Sequence, residues 1–388
     1  MRLMHVYLGH SYGGIERLLL TTLRLRHLWP TIETSFVLYP PGDFRVELEI
    51  AGAAAQDLGA GRVRLRNPLS LWRARRRLHE IIVAERTDLV AVHNLWLWTI
   101  FGSAVRSAGR PAVLWLHDPP DRATHWAARW ARLTVPDQVL CHSHYTARRA
   151  PAMFSGVPVE TVHCPVEPVL ADKNASRALR AATRAELGIA ENMVIILQVC
   201  RPSAHKGNLQ LVQALAKLRH LPNWICLQVG RPVLPVQTNY YEGVKRAASE
   251  LGIADRVRFL GYRNDLEGLL AAADIHCQPN LEPEPFGIAF VEALYAGLPV
   301  VTTAMGGALE IIDESCGILV PPGDLEALAG TLAKLIGNRE LRVRLGINGP
   351  TRARQLCDPA TQMAKLEAVL LKAGLRATNG TSAQRAKA

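Results

Sequence analysis

Short apolar runs alternate with longer segments of helical periodicity along most of the chain. Five runs in the first part predict buried strands, namely MRLMHVYL, SFVLYP, LVAVHN, AVLWLHD and QVLCHS. The segments between them predict helices that begin near Ile15, Phe44, Ser70, Ile100 and His125. This β-α-β order is typical of a parallel, doubly wound α/β sheet.

A second series of apolar runs predicts a second sheet of the same kind: VIILQVC, ICLQVG, VRFLGY, DIHCQP, PVVTT and GILVPP. The polar, alanine-rich stretch 166–184 between the series is interpreted as an interdomain linker. We therefore expect two Rossmann-like domains that face a central cleft, an N-terminal one over 1–170 and a C-terminal one over 171–350. A helix over 351–375 should return to the N-terminal domain, and 376–388 should form a disordered tail.

Composition and cysteine spacing narrow the class of protein. The 388 residues are 49% hydrophobic, which is enough for two packed cores. The sequence shows neither a signal peptide nor an uncharged apolar run of about 18 residues, so we expect a cytoplasmic protein. Seven cysteines lie singly, without CxxC spacing. Cys141-His142-Ser143-His144 is a poor metal site because neighbouring residues of a strand point to opposite faces.

Positive charge is concentrated in one segment. The net charge is +11, and eight arginines (62, 64, 66, 73, 75, 76, 77 and 86) lie between Arg62 and Arg86 against two acids. The sequence SLWRARRRLHEII predicts an amphipathic helix with leucines on one side and arginines on the other. This face is either a solvated surface or a peripheral contact with an anionic membrane through residues 62–86. Nucleic-acid binding is disfavoured because no recognisable binding motif accompanies the charge.

The loops that follow the predicted strands carry candidate ligand groups. Gly13 and Gly14 precede a helix start, where free amides attract an anion, although a tight structural turn would use the same residues. Neither GxGxxG nor GxxxxGKS occurs, which argues against a dehydrogenase and a P-loop ATPase. Arg201 and Lys206 flank a strand-to-helix loop, and two fixed cations there suit a diphosphate.

Histidines follow two strands of the first series. His93 ends one strand, and His117 precedes Asp118 and a rigid Pro-Pro pair. Their position at strand ends favours a functional role over an ordinary core histidine, more so for His117 than for His93. The tryptophans Trp96 and Trp98 either stack against an acceptor or pack in the core.

The stretch EPEPFGIAFVE places two carboxylates in different settings. Pro283 and Pro285 keep the preceding residues out of a helix, so the helix should begin near Gly287 or Ile288. Glu284 therefore lies on a loop and Glu292 lies within the helix. Both are suited to accept hydrogen bonds from sugar or ribose hydroxyls, but a solvated acid and a capping acid would give the same spacing.

The segment PNLEPEPFGIAFVEALYAGLPVVTTAMGGALEII, with its E-x7-E element, resembles the signature of glycosyltransferase family 4. The likeness extends to GGIER, to HD at His117, to R-x4-KG at Arg201, and to VRFLGY and GILVPPGD, in the family's order over about 330 residues. Members of this family are retaining, nucleotide-sugar-dependent transferases of GT-B fold. Asn280 stands where the family often has Ser, a mild change at a loop.

The resemblance implies a role for each matching position. Arg201 and Lys206 would hold the donor diphosphate and stabilise the leaving group, and Glu292 would bind the donor ribose. Glu284, with the backbone at Phe286, Gly287 and Ile288, would hold the transferred sugar. His117 would meet the sugar from the other domain, and Gly13-Gly14 would approach the phosphates and acceptor.

The implied activity is transfer of a sugar from a UDP- or GDP-linked donor to a glycan or lipid-linked acceptor, with retention, in polysaccharide or glycolipid biosynthesis. It requires no metal and no cofactor besides the donor as substrate. Two alternatives remain open: a sugar-nucleotide epimerase of the same fold, or a sugar-nucleotide-binding or membrane scaffold without catalysis. The latter would be marked by loss of His117, Arg201, Lys206 or Glu284, and all four are present.

Overall fold

A computed structural model describes residues 1–9, 13–59, 63, 67–122, 125–168 and 173–385. The chain divides into two compact units, one made of Met1–Pro165 with the C-terminal segment from Pro359, the other of Val166–Asp358. The C-terminal segment is thus part of the first unit.

The first unit contains a seven-stranded, fully parallel sheet. Its strands are β1 (Arg2–Tyr7), β2 (Glu33–Leu38), β3 (Ala54–Asp57), β4 (Leu89–His93), β5 (Ala112–Leu116), β6 (Gln138–Cys141) and β7 (Val159–Thr161), in the order β3-β2-β1-β4-β5-β6-β7. All five predicted strands are present. β3 and β7 were not predicted, because they are short and only partly buried and therefore carry no apolar run.

The second unit contains a six-stranded parallel sheet. Its strands are β8 (Val194–Val199), β9 (Trp224–Val229), β10 (Val257–Gly261), β11 (Ile275–Gln278), β12 (Val300–Thr303) and β13 (Gly317–Val320), in the order β10-β9-β8-β11-β12-β13. Each matches one of the six predicted apolar runs. Both sheets reverse their strand order beside the first strand, which is the doubly wound arrangement.

Helices connect the strands. They are α1 (Gly14–Arg24), α2 (Phe44–Ile50), α3 (Pro68–Ala84), α4 (Leu95–Ser107), α5 (His125–Ala131), α6 (His144–Ala147), α7 (Lys173–Glu186), α8 (Asn208–Ala216), α9 (Pro235–Glu250), α10 (Leu266–Ala272), α11 (Ile288–Tyr295), α12 (Ala308–Ile311), α13 (Leu325–Gly337), α14 (Arg339–Cys357) and α15 (Pro359–Arg385). Among the described residues, no helix combines the length and apolarity that a membrane crossing needs.

The structure corrects the predicted start of α4 and the prediction of a linker over 166–184. α4 begins at Leu95 and not near Ile100, because the Asn94 side chain caps it by accepting a hydrogen bond from the Leu97 amide. The predicted linker 166–184 contains most of α7, which is anchored by the buried Arg184. Its guanidinium donates to Asp274 over 2.7 Å.

The C-terminal region is more helical than its sequence suggests. α14 runs through Gly349 and Pro350 and α15 begins at Pro359, so the predicted helix over 351–375 is divided between these two helices. α15 continues to Arg385, so the predicted disordered tail over 376–388 is helical as far as that residue. Its sequence between Ala373 and Arg385 contains no proline, so no residue is obliged to end the helix earlier. Residues 386–388 lie outside the described part of the chain.

Candidate functional site

The loop that follows β11 has the geometry predicted for EPEPFGIAFVE. α11 begins at Ile288, and Gly287 caps it with φ 114°, a conformation that favours glycine. Glu284 lies on the loop, while Glu292 lies in the second turn of the helix and is 4% exposed. Phe286 is buried beside them, and Ile288 is half-buried. The two carboxylates are therefore held by different elements.

The backbone of this loop is fixed by the loop after β12. The Gly307 amide donates to the Glu284 carbonyl over 2.7 Å. A Cβ atom on Gly306 would lie 2.4 Å from the same carbonyl oxygen, so the close approach requires glycine. The backbone of Glu284 is thus held by main-chain packing.

Lys206 reaches Glu284 from the loop between β8 and α8. Its ammonium forms an ion pair and hydrogen bond with Glu284 Oε2, and the two side chains are 21% and 15% exposed. Lys206 ends a 3₁₀ turn, and Gly207 follows it with φ 71°. A Cβ atom on Gly207 would lie 1.9 Å from the Pro279 carbonyl oxygen, so this loop is pressed against the strand end of β11.

Buried side-chain amides form hydrogen bonds with one another and with the two loops. Asn208 donates through Nδ2 to Gln198 Oε1 and Gln228 Oε1 at 3.1 and 3.2 Å. Gln198 donates to the Lys206 carbonyl over 3.0 Å. On the neighbouring strand, Gln278 donates to Asn280 Oδ1 at 3.0 Å and to Glu284 Oε2 at 3.4 Å. These groups hold the loops without adding charge.

The remaining predicted donor residue, Arg201, lies on the same loop as Lys206 and is exposed. The structure thus brings Lys206 and Glu284 into contact, with Arg201 on the same loop. The amide network beneath them was not predicted. Its sequence signal is weak, a single glutamine near the end of each apolar run VIILQVC, ICLQVG and DIHCQP.

In the first unit, His117 belongs to a string of buried histidines. His5 Nδ1 lies 2.8 Å from His93 Nε2, His93 Nδ1 lies 2.8 Å from His117 Nε2, and His117 Nδ1 lies 3.0 Å from His142 Nε2. At the end of the string, His142 Nδ1 lies 3.3 Å from the Val162 carbonyl oxygen. We call these four residues the histidine string.

Burial keeps the four imidazoles neutral. It lowers the pKa of His5 to about 3 and that of His142 to about 4. Burial, with a smaller effect from neighbouring histidines, also lowers the pKa of His93 and His117 well below the ordinary value. His5 and His142 were not predicted as partners of His117. The sequence signal was a polar residue inside the apolar run MRLMHVYL and directly after QVLC.

The glycine-rich turn of the first unit also matches its predicted place. Gly13 precedes α1, which begins at Gly14. The first turn of α1 carries the buried Glu16, which accepts a hydrogen bond from the Tyr7 hydroxyl over 2.6 Å. Residues 10–12 of this turn lie outside the described part of the chain. Of the two tryptophans considered, Trp98 is buried and donates to the Thr134 carbonyl, whereas Trp96 is 39% exposed.

Sequence profiles of two families match this chain. The family described as "Glycosyl transferases group 1" matches residues 180–352, and "Glycosyltransferase Family 4" matches residues 35–170. The chain belongs to glycosyltransferase family 4. The family predicted from the sequence is therefore confirmed.

Curated relatives of this family 4 chain come from several bacteria. It is 34% identical over 195 residues to the D-inositol 3-phosphate glycosyltransferase of Corynebacterium efficiens, a match that covers 47% of the chain and 45% of that relative. It is 35% identical over 170 residues to the lipopolysaccharide glucosyltransferase WaaG of Escherichia coli, covering 42% and 43%. Less than half the length of either relative is matched.

Solved structures establish the fold of this family 4 chain. HepE of Anabaena in complex with UDP has a TM-score of 0.83 and 23% identity, covering 96% of this chain and 100% of that one. The same protein has been solved with UDP-glucose. At this identity the likeness shows fold alone, and the predicted GT-B class, with two Rossmann-like domains, is confirmed.

Proposed function

We propose that this chain transfers a sugar from a UDP- or GDP-linked donor to a glycan or lipid-linked acceptor in glycolipid or polysaccharide biosynthesis. The observation that carries the proposal is the contact between Lys206 and Glu284 at the strand ends of the second unit. A cation suits a diphosphate, and a carboxylate suits sugar hydroxyls. The names of the relatives, a lipopolysaccharide glucosyltransferase and an inositol phosphate glycosyltransferase, agree with this class of reaction.

The chemistry follows from where charge develops. Cleavage of a glycosyl-phosphate bond makes the anomeric carbon positive and the departing diphosphate negative. Cations that the fold already holds in place stabilise this negative charge without having to reorganise. Because they stabilise the transition state more than the ground state, they raise the rate. Lys206 and Arg201 supply the cations in this account, and Glu292 binds the ribose. Because two side-chain cations meet the diphosphate, we propose that the reaction needs no metal ion.

We further propose that the reaction retains the anomeric configuration. Retaining hydrolases use a carboxylate nucleophile that faces an acid about 5 Å away. Glu284 is instead paired with Lys206 and supported by Gln278, an arrangement for binding hydroxyls. Transfer would then take place on one face of the sugar, and the leaving phosphate would receive the proton of the acceptor hydroxyl.

A donor screen tests this function. The purified chain should be stabilised by one nucleotide-sugar class in thermal shift assays with UDP- and GDP-sugars, because a ligand that binds the folded state raises stability by mass action. The stabilising donor should be turned over with the same anomer in the product by NMR, and EDTA should leave the rate unchanged. Failure of every donor to be hydrolysed or transferred would contradict the proposal.

We also propose a peripheral contact between the first unit and an anionic membrane. α3 buries Leu71 and Leu78 and exposes Arg73, Arg76 and Arg77, as the helical pattern predicted. Arg62, Arg64 and Arg66, which were predicted to contribute, lie outside the described residues. Arg75 does not belong to this face, because it donates to the Ile100 carbonyl over 2.7 Å.

Exposed tryptophans accompany these arginines. Trp72 on α3 is 54% exposed and lies beneath the Arg76 guanidinium. On α4 and α5, Trp96, Trp126 and Trp130 are 39%, 45% and 43% exposed. α3 packs on α4 and α4 packs on α5, so these side chains belong to one helical layer. Tryptophan and basic residues together are typical of the interface between lipid headgroups and water.

Vesicle co-sedimentation tests the contact. Replacing Arg73, Arg76 and Arg77 by Ala should weaken binding to vesicles containing phosphatidylglycerol by roughly 100-fold, since each basic residue contributes about 1 kcal/mol. Arg219, Arg246 and Arg344, replaced together by Ala, form a control with the same loss of charge on exposed sites of the second unit. Equal loss in both variants would indicate non-specific charge attraction and contradict a docking face.

A further inference from the structure

The histidine string crosses four neighbouring strands of the first sheet. His5 lies within β1, His93 ends β4, and His117 and His142 directly follow β5 and β6. The four side chains are between 0% and 7% exposed. The rings of His93 and His117 are within 4° of parallel. The string therefore runs from the interior of the sheet at His5 to the strand ends that carry His117 and His142.

The donors and acceptors along the string are set by its last partner. A carbonyl oxygen only accepts, so His142 must carry its proton on Nδ1, and its Nε2 must accept from His117 Nδ1. A neutral imidazole has one donor and one acceptor. By the same argument His117 Nε2 accepts from His93, and His93 Nε2 accepts from His5. All four rings are thus the Nδ1–H tautomer.

This direction is incompatible with a proton relay through the string. Protons would have to leave at Val162, whose amide carbonyl binds a hydrogen but does not pass one on. Aromatic side chains also pack against the string. The ring centroids of Trp115 and His93 are 5.0 Å apart and those of Phe36 and His5 are 4.7 Å apart, and both pairs are stacked. Because the string ends on a carbonyl group and packs against aromatic rings, we infer that it holds its histidines in fixed orientations.

Tyr7 and His163 are titratable groups that act on members of the string. The Tyr7 ring meets His93 edge-on, and its hydroxyl is held by Glu16. His163 acts electrostatically on His142 from the side of β7. The two ring nitrogens of His117 are paired with His93 and His142, so the ring has no free lone pair with which to act as a base.

We propose that His93 and His142 are positioning residues for His117. Together they fix its tautomer, its neutral state and its orientation, and with it the start of the rigid segment Asp118-Pro119-Pro120 that follows β5. This inference rests on the proposed function, in which the resemblance to family 4 assigns His117 to the transferred sugar. His117 then contributes to the reaction by its fixed position, and other groups carry out the proton transfer.

The tautomers can be measured without any substrate. In ligand-free full-length protein labelled with 15N-histidine, the nitrogen chemical shifts distinguish protonated from unprotonated ring nitrogens. We expect His117 and its three string partners to be neutral and protonated on Nδ1 at pH 7.5, with assignment by single substitution. A protonated Nε2 on His117, or an imidazolium in the string, would overturn the proposal. Since no donor is present, this result is independent of the proposed activity.

The positioning role is tested by a pair of variants. His142→Gln keeps an acceptor for His117 Nδ1–H through its amide oxygen, whereas His142→Leu removes it. We expect His142→Leu to lower kcat by about 10- to 100-fold with little change in the KM for the donor, because misplacement of a sugar-contacting group acts in the transition state. His142→Gln should recover most of kcat.

A matched control separates positioning from loss of a buried ring. His276→Leu removes a fully buried histidine from β11 of the other unit, and it should lower stability with little effect on kcat. Equal kcat values in His142→Leu and His142→Gln, in a chain that transfers sugar, would overturn the proposal and leave the proposed function standing. The His117 nitrogen shifts should differ between the two variants, which a purely structural role of His142 does not require.

Discussion

The two sheets have the same strand order over six strands but bury different polar groups near their strand ends. The first sheet lines up four imidazoles, in which His117 lies between His93 and His142. The second uses amides, with Asn208 joined to Gln198 and Gln228, beneath an ion pair of Lys206 and Glu284. Amides do not titrate between pH 4 and 8, whereas a histidine released by unfolding binds a proton as the pH falls through about 6.5. The side chains that support the first site are therefore sensitive to acid on unfolding, whereas the amides that support the second are not.

The largest expected difference is in stability at low pH. In the folded chain burial holds the pKa values of the string far below 6.5, but in the unfolded chain these histidines bind protons as the pH falls through 6.5. Below pH 6.5 the unfolded state binds protons that the folded state does not, so the free energy of unfolding decreases as the pH falls. Each histidine contributes up to about 1.4 kcal/mol per pH unit.

Urea unfolding at pH 7.5 and 5.5 can be monitored by hydrogen-exchange mass spectrometry, which measures the stability of peptides from each sheet separately. We expect the first sheet to lose more of its stability than the second between these pH values. The second unit has one buried histidine, His276, among its described residues, with a pKa lowered by burial to about 4, so its loss should be smaller but not zero. Equal losses would contradict the comparison.

The second expected effect concerns the ion pair. Glu284→Gln keeps the shape of the side chain but leaves the charge of Lys206 without its partner. Affinity for UDP or GDP, measured by calorimetry, should rise a few-fold, while sugar transfer should fall by about 10²–10³-fold because the sugar loses a charged hydrogen-bond acceptor. Glu282→Gln, at an exposed neighbouring position, is the control. A variant with weaker nucleotide binding and normal transfer would contradict the roles assigned to the pair.

The smallest effect concerns the amide network. Asn208→Ala leaves the amide oxygens of Gln198 and Gln228 without their donor, and each unpaired buried group costs about 1–3 kcal/mol. Because amides do not titrate, this cost should be the same at pH 7.5 and 5.5 by urea unfolding. Asn239→Ala, on the exposed side of α9, should change stability by less than about 0.5 kcal/mol. A cost that grows at pH 5.5 would contradict the account.

Features that depend on local sequence could be predicted well. The proline pair before Gly287 fixed the start of α11, and the apolar runs located all strands except the short β3 and β7. What depends on neighbouring strands could not be predicted. His5 and His142 are 137 positions apart in the chain, and only the strand order β1-β4-β5-β6 brings them into one string.

The central claim is that Lys206 and Arg201 stabilise the leaving diphosphate during sugar transfer. Its most direct test is the release of nucleoside diphosphate from the cognate donor by the unaltered chain, by Lys206→Ala and by Arg201→Ala. Lys217→Ala is the control, since Lys217 pairs with Glu326 on the surface of the same unit. We predict that each site variant folds but turns over about 10²–10³-fold more slowly, while the control is unchanged. Near-normal turnover in both site variants would contradict the account.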